Sequence, residues 1–284
     1  MIKIISRNKD IFWLFNWITG LLLVYLWCTA YLNTPALKNV VEASVNSFQI
    51  ALISTGISAL LGWGFAILYT SSQSAGKKTL PGILDFFVDL IKSIPQIIGL
   101  LIFYIILTVL ILNGILKSSF SQLLFMSLGA AFFTFYEFMS LFIERVNYYR
   151  KTEFFDAMRS NGIPEIRIVN VDIFLKNSLA HIVHKAISVF GTVLFLQCSI
   201  DFIISVGLST DVSLSNLPLS LGSMLAKLDS KQDILAISNI FTNPAYISDL
   251  LTVHLQGISV AFVLIFSLIS INKMTSAMLI KKEL

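Results

Sequence analysis

Six apolar stretches recur along this chain, near Ile11–Leu32, Ser47–Tyr69, Ile94–Leu112, Gln122–Leu141, Ile187–Ser205 and Ile258–Ile271. With modest flanking extension each approaches the ~20 helical residues that cross a bilayer at ~1.5 Å per residue. At 56% hydrophobic residues, 13% charged residues and a mean hydropathy of +0.83, the 284 residues carry more apolar surface than a soluble domain of that length can bury. The solvent is lipid. The runs are too long and too poor in turn residues for the alternating ~10-residue strands of a membrane barrel. The expected fold is all-α and polytopic, with six transmembrane helices in a single domain over 1–284.

Orientation follows from the basic residues, because short loops rich in Lys and Arg stay in the cytoplasm. With the N-terminus inside, the inner set is Lys3, Arg7, Lys9, Lys77, Lys78, Arg145, Arg150, Lys151, Arg159, Arg167, Lys176, Lys273, Lys281 and Lys282. The outer set is only Lys38, Lys117, Lys227 and Lys231. Both termini are therefore expected in the cytoplasm, and the formal charge of +4 reads as a topology signal. No basic-aromatic patch speaks for nucleic acid. Ile11–Leu32 exceeds the apolar core of a signal peptide and lacks a small-residue cleavage pattern, so it is expected to stay as a span. Cys28 and Cys198 fall inside spans as small apolar thiols.

One polar interruption stands out, 145–176, between the fourth and fifth spans. Thr152 can cap a short helix that carries Glu153 and Asp156 in its first turn. Phe154, Phe155, Ala157 and Met158 give that helix a bulky side, which either faces water as a docking surface or packs on the chain's own membrane domain. Gly162 can take the left-handed geometry that ends a helix, and Pro164 opens the next. There Ile166, Val169 and Ile173 form an apolar stripe, with Glu165, Arg167, Asn170 and Asp172 turned away.

Elsewhere, 33–43 reads as a short outer loop carrying Pro35, and 207–252 as a long outer segment containing Asp211, Lys227, Asp229, Lys231, Asp233 and Asp249. Its middle, 219–226, is apolar enough to lie on the membrane or dip into the bundle, and Asn243-Pro244 starts a further helix. Asp85, Asp89 and Lys92 share a face ahead of Pro95, which should kink the helix or divide an interfacial turn from the span. Charges within spans are costly, which singles out Asp89, Glu137 and Asp201 as pore-lining candidates beside Pro95. Packing or pairing are the plainer roles for them. His181 and His184 have no clear third ligand and His254 stands alone, so no metal site is expected.

The run 155–162, Phe-Asp-Ala-Met-Arg-Ser-Asn-Gly, resembles the Glu-Ala-Ala…Gly signature of permease subunits in ATP-binding-cassette importers. Within that family the chain is similar to the dipeptide, oligopeptide and nickel branch over about 45–275. Asp89…Ile94-Pro95 resembles the branch's third-span motif, and 174–179, Phe-Leu-Lys-Asn-Ser-Leu, its Ile-Leu-Pro-Asn-Ala-Leu. Gly191-Thr192 with Gly207-Leu208 follows the fifth-span pattern, and 221–225, Leu-Gly-Ser-Met-Leu, resembles Trp-Gly-x-Met-Leu. Lys176 stands where Pro is usual, Leu221 where Trp is usual, and the stretch from Gly162 to Leu175 is one residue longer. These departures are expected to loosen the second hairpin helix while leaving the first.

The resemblance implies that the first hairpin helix docks on a cytoplasmic ATPase. Phe154, Phe155, Met158 and Arg159 would contact it, Asp156 would brace the helix beside Glu153 and Ala157, and Gly162 would permit the turn. It also implies a second permease subunit, two ATPase subunits that bind ATP and Mg, an extracytoplasmic solute-binding protein, and a bacterial plasma membrane as location. Cargo of the branch is peptides, nickel or metal chelates. The chain itself is expected to be no enzyme and to bind no cofactor, since it has no Gly-x-x-x-x-Gly-Lys-Ser/Thr phosphate loop. The rival from another class is an ion-driven secondary transporter relaying protons through Asp89, Glu137 and Asp201, for which inverted repeats are lacking. A membrane-embedded hydrolase is a third reading, without a usable catalytic arrangement.

Overall fold

The longest helix explains why the others gather round it. The computed structural model describes residues 9–76, 79–207, 217–226, 241–252 and 255–283, and among these every regular element is helical. Outside the described residues lie Lys3, Arg7, Lys77, Lys78, Leu208, Asp211, Lys227, Asp229, Lys231, Asp233 and His254. α1 (Lys9–Tyr31) leads through Asn33 into α2 (Thr34–Ser74), which at 41 residues runs about 60 Å. Along α2, Ala43, Ser47, Ala51, Ser54, Ser58, Gly62 and Ala66 recur every three or four residues, and all are buried. Small residues at that spacing let helices approach closely in lipid, where no hydrophobic effect drives them together. At Gly62 a Cβ would lie 2.5 Å from Phe138 Cβ, so nothing larger fits.

The outer loop expected at 33–43 is helical. Asn33 Oδ1 accepts from the Ala36 N–H at 2.9 Å and Pro35 sits in the first turn, which together start a helix rather than mark a loop.

α3 (Thr79–Ser93) and α4 (Gln96–Leu112) meet at 88° across Ile94-Pro95, while α5 (Ser119–Phe132) and α6 (Phe135–Tyr149) bend by 46° at Thr134. Pro95 thus divides two elements, the second of the two outcomes its position allowed. The two breaks support each other. Gln96 Nε2 donates to the Phe133 carbonyl at 3.0 Å and to the Tyr136 hydroxyl at 3.1 Å, so an oxygen released by one break is satisfied from the other.

After α6 come α7 (Glu153–Ser160), α8 (Glu165–Arg167) running into a wide helix over Ile168–Asn177, and α9 (Leu179–Gly207). α10 (Leu221–Ala226), α11 (Ile247–Thr252, after a 3₁₀ turn begun by Asn243-Pro244) and α12 (Leu255–Glu283) complete the described chain. Of the two places open to 219–226, α10 takes the inner one, with Leu221 and Met224 buried. α1 packs against α12, where Trp17 Nε1 donates to Ser267 Oγ at 2.9 Å, and Cys28 and Cys198 are both buried.

Among the described residues four helices, α1, α2, α9 and α12, are long and apolar enough to cross a membrane, and there are up to six spans if each bent pair is one. The outside of the bundle is greasy: Phe15, Leu60, Ile105 and Leu112 are 59–70% exposed. Such a surface fits a membrane-embedded protein.

Candidate functional site

The hairpin joins α6 to α9 at the end of the bundle where α2 finishes. Tyr149 and Thr152 make its entry, but the Thr152 hydroxyl donates back to the Tyr149 carbonyl at 2.6 Å and does not cap α7. α7 closes as the sequence suggests. Gly162 sits at φ +76°, its N–H reaches Arg159 O at 3.0 Å, and the Ile163 N–H reaches Met158 O at 3.3 Å. This is the paired-bond ending that a left-handed residue permits, with Ile163 and Met158 both packed on the core behind it.

The two phenylalanines part company. Phe155 is only 5% exposed and packs into the core, whereas Phe154 is 37% exposed. Phe155 therefore anchors α7, and a patch of two aromatics in water is corrected to one. Around Phe154 the exposed residues of α7 are Glu153, Asp156, Ala157, Arg159 and Ser160, with Met158 half-buried.

A polar latch holds the hairpin to the end of α2. The Arg150 guanidinium donates to Gln73 Oε1 and the Thr70 carbonyl, each at 3.0 Å, and also to Ser74 Oγ and the Glu165 carboxylate. Ser74 Oγ donates to Glu165 at 2.7 Å. Partial burial works to raise the Glu165 carboxyl, but the hydrogen bonds from Ser74 and Arg150, with the charges of Arg150 and Arg159, outweigh it and hold the group below the ordinary glutamate range.

Beyond Pro164 the expected stripe holds at Val169 and Ile173 but not at Ile166. Over Ile168–Asn177 the backbone is π-helical, so the buried set is Ile168, Val169, Asp172, Ile173 and Phe174, while Ile166 is 56% exposed. Residues expected to turn away are recruited inward: Trp63 Nε1 donates to Asn170 Oδ1 at 2.7 Å, and buried Asp172 pairs with Lys176 at 2.7 Å. The Lys176 side chain itself stays largely exposed, so the pair lies at the edge of the second hairpin helix. Lysine also keeps the N–H that proline lacks, so the helix continues to Asn177.

The intramembrane candidates are dispersed among partners. Glu137 faces Lys185 of α9 at 3.2 Å, a compensated pair. Lys92 lies 5.5 Å from the Tyr136 ring centroid, and Asp89 is exposed on α3. Exposed Pro95 stands at the helix break beside Gln96. Asp201 is buried against α4 and the 217–226 segment, where Oδ2 accepts from Gln197 Nε2 at 3.3 Å with Tyr104 and Ser220 alongside. His184 Nε2 lies 3.2 Å from the Thr275 carbonyl, and among the described residues no group of three His, Cys, Asp or Glu converges as a metal centre would require.

The Arg150 latch and the α2 seam escaped the sequence reading. The seam had a signal, the strict recurrence of small residues; the latch had none, since Arg150, Ser74 and Glu165 are far apart in the chain. No protein-family model matches the chain, and no curated protein does.

Proposed function

We propose that the chain is a permease subunit of an ATP-binding-cassette importer in a bacterial plasma membrane, with six spans, both termini in the cytoplasm and α7 as the helix that docks on the ATPase. The carrying observation is α7 itself: eight residues anchored by buried Phe155, offering Phe154, Asp156 and Arg159 outward, and braced to α2 through Arg150. A helix held at both ends works as a lever. Push on its exposed face and the force passes through Arg150 and Glu165 into α2, against which α3, α5, α6, α9, α10 and α12 pack.

Two further points support this reading. The resembling motifs occur in family order along the chain, and the extra residue between Gly162 and Leu175 falls where the helix widens; a helix with fixed ends absorbs one inserted residue by such widening. The basic residues Arg145, Arg150, Arg159, Arg167 and Lys273 belong to the end of the bundle that carries the hairpin, where α12 meets α9 through Thr275 and His184. The chain would form half a pore with a second permease, take cargo from an extracytoplasmic binding protein, and leave ATP and Mg to two ATPase subunits. Peptides and nickel or metal chelates are the cargo classes of the resembling branch. The ion-driven alternative gains nothing from Glu137, whose charge Lys185 offsets.

The test is a double readout on Phe154→Asp and Arg159→Glu, both exposed. Uptake of a peptide or nickel-chelate cargo should fall to background and co-purification of ATPase subunits should fail, with the protein still inserted. Normal uptake and normal co-purification would remove α7 from the interface.

A further inference from the structure

Asp201 has a second group beside it that points to a ligand. A cavity of about 10 Å³ has Tyr104 of α4, Gln197 and Asp201 of α9, and Ser220 on its polar side, and its remaining wall is apolar, from α2, α4, α5 and Pro218-Leu219. Gln197 is 3% exposed; its Nε2 donates to Asp201 Oδ2 at 3.3 Å, while its Oε1 is buried with no hydrogen-bond partner. Turning the amide over would set oxygen against carboxylate, so the orphaned oxygen belongs on the side away from Asp201 Oδ2. The Tyr104 and Ser220 hydroxyls stand on the same wall, and Ser220 Oγ accepts from the Ser223 N–H at 3.1 Å.

The cavity has a built lid. Asn46 Nδ2 donates to the Leu219 carbonyl at 2.8 Å, and the Leu221 N–H donates to Ser47 Oγ at 3.0 Å. A Cβ on Gly222 would lie 2.2 Å from the Cys198 carbonyl oxygen, so α10 presses on α9 where only glycine fits. The carboxylate is 3% exposed within a helix long and apolar enough to span a membrane, and the described ion pairs, Arg150–Glu165, Lys176–Asp172 and Lys185–Glu137, leave its charge uncompensated.

We infer that this cavity binds one dehydrated monovalent cation of sodium size, held by Asp201, the orphaned Gln197 oxygen and the hydroxyls of Tyr104 and Ser220. Volume sets the size: about 10 Å³ is room for one water-sized particle. Charge sets the valence, since one cation on one carboxylate leaves the site neutral, whereas a divalent ion would leave a net charge in lipid. Donor type sets the chemistry: four oxygens suit a hard ion, and no thiolate or imidazole lines the cavity to favour a transition metal. The cation ties Ser220 to α9 and so keeps the 217–226 segment seated on α2. This inference does not depend on the importer reading.

The experiment uses the whole purified chain in detergent, exchanged into choline chloride. Thermal unfolding is followed while sodium chloride replaces choline at constant ionic strength, and binding of radioactive sodium is measured in parallel. Expected is a saturable rise in Tm with a single ion bound per chain, both lost in Asp201→Asn and in Gln197→Leu. Should Asp201→Asn not fold, the wild-type titration and Gln197→Leu still decide. A wild-type Tm indifferent to the choline-for-sodium exchange, or an infrared band of a protonated carboxyl that persists in sodium and vanishes in Asp201→Asn, would overturn the inference.

Discussion

Arg150 and Glu165 close an ion pair across the base of the hairpin, and the same guanidinium holds the Thr70 carbonyl at the end of α2. Hydrogen bonds to charged groups contribute roughly 1.5–3 kcal/mol when their partners are shielded. Arg150→Ala should therefore destabilise by about 2 kcal/mol, seen as a Tm lower by about 4–8 °C at ~2–4 °C per kcal/mol for a chain approaching this size. An unchanged Tm would make the latch an idle surface contact.

Acid should open the latch. Because the folded state holds the Glu165 carboxyl below its ordinary value of 4.5, its contribution is complete above that pH and is lost as pH falls through the lower folded value. Stability measured from neutral pH downward should show an extra acid-side loss that Glu165→Gln lacks. Parallel curves for the two proteins would contradict the assignment.

Two glycines separate packing from propensity. Gly222→Ala forces a Cβ to 2.2 Å from a backbone oxygen and should cost about 1–3 kcal/mol, as overpacking does. Gly64→Ala meets nothing within 4 Å and should be neutral or stabilising by up to ~1 kcal/mol through helix propensity. Equal effects on Tm would mean that α10 does not press on α9.

Removing one member of the Glu137–Lys185 pair should cost more than removing both. Lys185→Met leaves a carboxylate among the spans at about 2.5–3.5 kcal/mol, while adding Glu137→Gln should restore most of that loss. Additive losses in the double variant would show that the two charges do not meet.

Helix positions were legible from hydropathy because lipid demands long apolar runs, and Gly162 was legible because the end of α7 needs a left-handed residue that glycine adopts freely. What escaped depends on partners distant in sequence. Phe154 and Phe155 are adjacent and chemically identical, and only the way α7 lies on the bundle sends one inward. Beyond Pro164 Val169 and Ile173 are buried as their spacing suggests, while the π-helix over Ile168–Asn177 also brings Asp172 inward. Pro35 reads as a loop marker by itself, but Asn33 two residues ahead caps the helix and places the proline in its first turn.

The most direct measurement of the docking claim is purification of the full-length chain, in mild detergent, from the membranes of its own cell, followed by an ATP-hydrolysis assay on the eluate. Expected is hydrolysis that co-purifies with the wild-type chain and is lost with Gly162→Pro, because proline cannot take the φ of +76° found there. A chain that elutes without ATPase activity, and that carries out uptake by itself in vesicles under an ion gradient, would contradict it.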